Sequence, residues 1–260
     1  MKGIELIGND PIKRRLFEWE ISRSGVPLGK GEGYVPLFLD YLEKPDCTIL
    51  LEAFLASQKE KPLLPSSLNA RFPYGCSEKD FPFLRSGDLT PCSKEELTLL
   101  YDLGIREVFD FGSPKGKERL THKLESAGII YRNFYLKPDW PVFDKKTISV
   151  DELIEASYKG YHALIDQRET FDTIQEAFEN AKGKVAFSCS YGRDRTGIVS
   201  LLQEGFLGWD TERMLVDYAI SYFELSYLLK GVDETNLGKH YGEIISPMRF
   251  FFAFAVSGGK

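Results

Sequence analysis

Residues 184–197 read KVAFSCSYGRDRTG: an apolar run, then a cysteine, a glycine, two arginines and Thr-Gly ahead of a segment able to form a helix. VAFSC has the length and composition of a short buried strand, and Thr196 to about Phe206 that of a helix. The residues between them make a tight strand-to-helix loop with Cys189 at its mouth. Such a loop gathers backbone N–H groups and a helix N-terminus around one point, which makes an anion site. If the anion is phosphate, the planar fork of Arg195 can grip two of its oxygens and Cys189 lies beneath the phosphorus. A positive cradle compensates the charge of a thiolate, the attacking form of cysteine. Attack on a phosphate ester gives a cysteinyl-phosphate that water then hydrolyses. An isolated cysteine is most often an inert buried thiol. The ordered succession of strand, Cys, Gly, Arg-Thr-Gly and helix favours the phosphate loop instead.

Outward from this loop, helical and strand signals alternate. Ser93 with Glu96 forms a capping-box pattern that opens a helix over SKEELTLLYDLG, closed at Gly104. IREVFDF follows as a buried strand, GSPKGKERLTHKLESAG as a turn and helix, and IIYRNFYL as the next strand. Ser149 with Glu152 repeats the capping pattern and opens a helix through about Gln167. TFDTIQEAFENAKG predicts another, ending near Gly183, and Asp210 caps a helix through TERMLVDYAISYF. Strands separated by helices at this spacing predict an α/β fold, a central and largely parallel sheet flanked by helices. Residues 1–62 are least readable and are expected to be an N-terminal addition or lid that does not fold independently, with residues 63–260 as the main domain. CTILLEAFLASQKEK within the addition predicts two or three helical turns, while SPMRFFFAFAV at the far end is expected to pack beside the last of these helices.

The 260 residues are 43% apolar and 28% charged, an ordinary globular composition with enough chain for a substantial core. A net charge of -6 and a pI near 5.3 argue against an extended nucleic-acid footprint, although a local basic pocket is compatible with that average. No apolar run reaches the roughly 18 to 20 residues of a membrane span and the N-terminus lacks a secretory leader, so a cytoplasmic location is the expectation. Cys47, Cys76, Cys92 and Cys189 are widely scattered, like neither a disulfide framework nor a paired-cysteine zinc site. His122, His162 and His240 stand alone without metal-ligand spacing. Neither a metal nor an organic cofactor is expected.

The stretch CSYGRDRT matches the CxxxxxR[ST] loop and resembles the cysteine-dependent protein tyrosine phosphatase superfamily. With Asp immediately before Arg and Thr-Gly after it, the chain is most similar to the bacterial and fungal, mycobacterial PtpB-like branch of broad-specificity tyrosine and phosphoinositide phosphatases. FLRSGDLTPCSKEELTLLYDLGIREVFDF extends the resemblance upstream, so that it covers roughly Phe81 to Gly208. The resemblance implies Cys189 as nucleophile, Ser190, Tyr191, Gly192, Arg193, Asp194 and Arg195 as the phosphate cradle, and Thr196 beside the thiolate. It also implies Asp194 as general acid. Asp139 and Asp144, in KPDWPVFD, are the rival acids, since classical members carry theirs on an upstream Trp-Pro-Asp loop. Asp110, at a strand end, is expected to support the pocket, and Tyr191 inside the loop is of a type able to stack on a phenyl ring.

Two residues depart from the branch. Ser188 stands where a histidine usually precedes the cysteine, and Gly112 where an arginine is expected. Arg193 takes a position often held by lysine, and a second cation suits a multiply phosphorylated ligand. The substrate is thus expected to be a phosphorylated protein or peptide, with a phosphoinositide or inositol phosphate as the alternative. A weakly active phosphate-binding pseudophosphatase is the reading from another class, and arsenate reduction or sulfur transfer also use a cysteine in an anion loop.

Overall fold

The computed structural model describes residues 11, 14, 47–57, 62–139 and 159–225. By contact they form two compact units. The smaller holds helix α1 (Cys47–Ser57), in agreement with the two or three turns predicted there, and a ring contact of Phe54 with Phe223 at 5.5 Å between centroids. The larger, from the segments Glu60–Asp139 and Gly160–Ser221, carries the sheet and everything described below.

In chain order the elements are β1 (Phe83–Ser86), α2 (Lys94–Asp102), β2 (Ile105–Asp110), α3 (Glu118–Ser126), β3 (Ile130–Asn133), α4 (Arg168–Glu179), β4 (Lys184–Ser188), α5 (Asp194–Phe206) and α6 (Thr211–Glu224). The Ser93 capping box forms in full: its side chain accepts the Glu96 N–H and the Glu96 carboxylate accepts the Ser93 N–H. Asp210 likewise accepts the Arg213 N–H at 2.8 Å to start α6. Of the helix predicted from Ser149, residues 159–165 are helical and those before 159 lie outside the described residues, as does the tail SPMRFFFAFAV. β3 is shorter than the predicted strand and ends at Asn133, where the Phe134 N–H makes the last bond of the ladder to the Asp110 carbonyl at 2.9 Å.

All strands are parallel, in the order β1-β4-β2-β3, so the α/β prediction holds. Parallel strands need covering on both faces. Leu84, Val108 and Ala186 face one side against Leu97, Leu100, Leu120 and Leu124 of α2 and α3. Phe83, Phe109, Val185 and Phe187 face the other, against Ile174 of α4 and Ile198 and Val199 of α5. Phe187 is the hub of an aromatic layer, with ring centroids 4.8 Å from Phe83, 5.6 Å from Phe111 and 5.7 Å from Phe178. Alternation along β4 puts Cys189 on this same face, just beyond the end of the strand.

The register aligns Ser86, Asp110, Asn133 and Ser188 in one row at the carboxyl ends of the strands. That edge is where open parallel sheets bind ligands. Beneath it lies a buried charge cluster. Arg85 of β1 is ion-paired with Asp217 of α6, and Arg71 joins the same carboxylate at 2.8 Å. Burial works against the Asp217 carboxylate, but Arg71, Arg85 and the Tyr74 N–H outweigh it and hold its pKa below the usual range. Glu204 of α5 is buried beside Asp217. Burial and the Asp217 charge push its pKa well up, and among the described residues neither of its oxygens receives a hydrogen bond, so it fits as a protonated acid directed at Asp217.

Removing one partner of this cluster leaves buried charge uncompensated, so Asp217→Ala is expected to cost about 3–5 kcal/mol in denaturant unfolding. Glu204 acts in the opposite pH direction. The folded chain keeps a proton that the unfolded chain releases above its ordinary pKa of 4.5, so stability falls as pH rises through that window. Glu204→Gln is expected to flatten the decline of Tm between about pH 5 and about pH 8, measured by thermal melts across that range.

Candidate active site

β4 ends at Ser188, whose carbonyl accepts the Phe111 N–H at 2.8 Å and so locks β4 to the end of β2. Cys189 follows, only 3% exposed. Residues 190–193 curl over the end of the strand and α5 begins at Asp194. Arg193, at the helix cap, makes no side-chain capping bond, which leaves first-turn N–H groups directed at the loop. The predicted strand, loop and helix therefore coincide with the sequence reading, the helix beginning two residues earlier at Asp194.

The curl depends on Gly192. Its φ is +67°, and a Cβ there would lie 2.5 Å from the Ser86 carbonyl carbon and 2.7 Å from the Gly87 nitrogen. Gly197 has a related task one turn into α5, where a Cβ would meet the Tyr218 ring at 2.4 Å. Arg195 reaches back across the loop, Nη2 donating to Ser190 Oγ at 2.9 Å and Nη1 to the Phe111 carbonyl at 3.2 Å. A guanidinium has five N–H donors, so this tether fixes its plane and leaves further donors for an anion. Tyr191 projects from the loop 48% exposed. Thr196 is buried, and its hydroxyl makes no hydrogen bond among the described residues.

Asp194 is engaged on several sides. Its carboxylate accepts from Arg193 Nε at 3.0 Å and Nη2 at 3.3 Å, and from the Tyr161 hydroxyl. Burial pulls this carboxyl up, but the Arg193 charge, both hydrogen-bond donors and the Arg195 charge win and hold it below its ordinary range. Tyr161, in turn 3.0 Å from the Tyr218 hydroxyl, keeps its proton firmly because of burial and the adjacent Asp194 charge. At rest Asp194 is therefore an ionised acceptor, the ion-paired condition that competes with an acid role. Of its rivals, Asp139 lies exposed after β3 and Asp144 lies outside the described residues.

Asp110 organises the neighbouring β2–α3 loop. One carboxylate oxygen accepts the Gly112 N–H at 2.7 Å, the other the Tyr131 hydroxyl at 2.9 Å. Gly112 suits this arrangement, since a Cβ would come within 2.8 Å of Asp110 Oδ1. The absent arginine is thus matched by a close backbone turn. Two further residues escaped the sequence reading. Asp88 donates its N–H to the Ser190 carbonyl at 3.2 Å, and Lys117 bonds Asp88 at 2.6 Å while lying 3.4 Å from Asp110. Burial opposes the Asp88 carboxylate, yet Lys117 and Thr90 hold its pKa down. Asp88 had a weak signal as the residue closing the Arg-Ser-Gly-Asp turn after β1; Lys117 and Tyr161 had none.

This geometry has a counterpart among known sequences. Residues 79–247 match the profile described as the tyrosine phosphatase family. The chain belongs to that family. It is a phosphatase of the cysteine-dependent, protein-tyrosine-phosphatase type. No curated protein matches it. Similar solved structures include a putative phosphatase of Neisseria meningitidis Z2491, at 15% identity over 61% of this chain and 94% of that one, with a TM-score of 0.35. TpbA of P. aeruginosa is similar at 18% identity over 66% of this chain and 94% of its own, with a TM-score of 0.34. TpbA in complex with pTyr matches at 17% identity over the same shares, again at 0.34. No described helix is long and apolar enough to cross a membrane, and no described group of three His, Cys, Asp or Glu residues is arranged to hold a metal ion.

Gly192→Ala combines a left-handed backbone with a backbone clash. It is expected to displace the loop by enough to lower kcat/KM on p-nitrophenyl phosphate about a hundredfold, while circular dichroism still reports a folded chain.

Proposed function

We propose that the chain hydrolyses phosphotyrosine in proteins or peptides, through a covalent phosphate on Cys189. The observation that carries this reading is the loop itself: a cysteine at the end of a central strand, enclosed by backbone N–H groups, a helix N-terminus and a tethered Arg195. In the first step the Cys189 sulfur bonds to phosphorus as the bond to the tyrosyl oxygen breaks. Arg195 and the N–H groups of residues 190–195 take up the charge that grows on the equatorial oxygens. In the second step water attacks phosphorus, Cys189 leaves as thiolate and inorganic phosphate departs.

Asp194 is the proposed acid for the first step and base for the second. It begins ionised, so it must acquire a proton as substrate enters. An incoming phosphate dianion supplies the drive, because a second negative charge beside a carboxylate raises its pKa and competes with it for Arg193. Because burial is outweighed by Arg193, Tyr161 and Arg195, the resting carboxyl lies below its ordinary range, and kcat/KM is expected to decline towards alkaline pH as the acid form is lost.

Arg193 bears on the choice of substrate. Its Nε and Nη2 are both committed to Asp194, so it is not a free second cation of the kind a polyphosphorylated inositide needs. The exposed Tyr191 ring beside a deep Cys189 favours an aryl phosphate, whose ester oxygen stands well clear of the backbone of its peptide. We therefore rank phosphotyrosine above phosphoinositides, and place the chain with the PtpB-like branch on its Asp-Arg-Thr-Gly sequence. Its retained Cys189 and Arg195 and the fit of Gly112 to Asp110 support an active enzyme rather than a phosphate-binding pseudophosphatase.

Matched phosphotyrosyl, phosphoseryl and phosphoinositide substrates in metal-free buffer are expected to release phosphate fastest from the tyrosyl ester, with Cys189→Ser inactive and orthovanadate inhibitory. Faster release from the inositide would reverse the ranking, and turnover by Cys189→Ser would overturn the mechanism. Asp194→Asn is expected to slow an alkyl phosphate more than p-nitrophenyl phosphate, since nitrophenolate leaves with little help from an acid. Equal losses on the two would assign Asp194 to its pairing with Arg193 alone.

A further inference from the structure

The Gly192 carbonyl turns away from the mouth of the loop, towards the protein. Asn69 Nδ2 donates to it at 2.7 Å and Arg85 Nη2 at 3.2 Å. In a trans peptide the carbonyl and the following N–H point in opposite directions. Whatever fixes the Gly192 carbonyl therefore aims the Arg193 N–H the other way. Resting on the reading of Cys189 as the nucleophile of a phosphate loop, we propose that Asn69, together with Arg85, is a positioning residue that orients the Gly192–Arg193 peptide so that its N–H donates to the bound phosphoryl group.

Asn69 is shaped for this task. Among the described residues it is the sole non-glycine with positive φ, at +54°, a backbone state that asparagine tolerates better than most residues and that persists where something holds it. It is buried, and its amide has one sensible orientation. Nδ2 donates to both the Gly192 carbonyl and Ser221 Oγ, the latter at 3.0 Å, while Oδ1 has no hydrogen-bond partner among the described residues. Reversing the amide would set its oxygen against a carbonyl oxygen. The preceding residue is fastened too, the Leu68 carbonyl accepting the Gly87 N–H at 2.6 Å. Ser221 Oγ also accepts from Arg71 at 3.2 Å and Arg85 at 2.9 Å, so the three donors are held around one hydroxyl of α6. The same logic operates at a second peptide of the loop, where the Asp88 N–H fixes the Ser190 carbonyl and so turns the Tyr191 N–H the other way.

Two variants separate the donor from the backbone. Asn69→Gly keeps the left-handed conformation and loses the amide; Asn69→Asp keeps the shape and replaces the donor with an acceptor. Orthovanadate inhibition and the kcat and KM for p-nitrophenyl phosphate would be measured beside thermal melts. Both variants are expected to bind vanadate about tenfold more weakly and to lose about tenfold in kcat with a smaller change in KM, because the donor acts most strongly on transition-state charge. Folded variants whose vanadate affinity and kcat stay within about twofold of the parent would overturn the proposal. Should neither variant fold, the unaltered chain decides: on vanadate titration the 15N-labelled Arg193 amide is expected to shift downfield, and an unmoved resonance overturns the assignment. Failure of the parent chain itself to bind vanadate or turn over would instead count against the phosphatase mechanism.

Discussion

The ion pair between Arg85 and Asp217 is the contact on which the site is built. Arg85 is wholly buried on β1, and a guanidinium there is tolerated only because a carboxylate from α6 meets it. With one side satisfied by Asp217, the other side of the guanidinium is available to the Gly192 carbonyl and to Ser221. One buried cation thus joins the sheet, the last described helix and the phosphate loop. An apolar pair of similar volume would join the sheet and helix equally well. Only a polar one can also set the direction of a peptide in the loop.

The chain as a whole is acidic, with a net charge of -6, yet it presents Arg193, Arg195 and a helix N-terminus around one cysteine. Local neutralisation reconciles the two. Asp194 answers Arg193, while Asp88 and Asp110 answer Lys117. Arg195 is the exception, tethered by a hydroxyl and a carbonyl rather than by a carboxylate. Among the described residues Arg195 is therefore the arginine of the loop that forms no ion pair with a carboxylate, although its charge still helps to lower the pKa of Asp194. This is the physical sense in which Arg195 and Arg193 differ, although they stand two residues apart in one motif.

Much of this was legible in the sequence because it is local. The capping box at Ser93, the strand IREVFD, and the loop from Cys189 to Thr196 are each decided by neighbours within a few residues, and the structure places them as read. What sequence left open depends on residues brought together from far along the chain. Asp194 reads as an acid in its motif; its ion pair is with an adjacent arginine, but the decisive second donor, Tyr161, comes from a helix 33 positions earlier. The Gly112 departure reads as a loss until Asp110 is seen occupying the space a side chain would need. Thr196 reads as a neighbour of the cysteine, and where its buried hydroxyl points follows from how α5 seats on the sheet. Asn69 gives no signal at all, since an asparagine in a polar stretch usually marks a turn.

The distances along the chain between these partners have a further consequence. Asn69 and Gly192 are 123 residues apart, and Arg85 and Asp217 are 132 apart. Contacts of such long range incur their loop-closure entropy early and return their stabilisation only when both ends are in place. During synthesis the cysteine and both arginines of the loop emerge before α6 does. Until α6 docks, Arg85 lacks its counter-ion and the loop lacks its support from below. The order of the chain therefore delays the assembly of a competent cradle until nearly the whole of the sheet-bearing unit has folded, and a truncated or stalled chain carries the motif without the geometry.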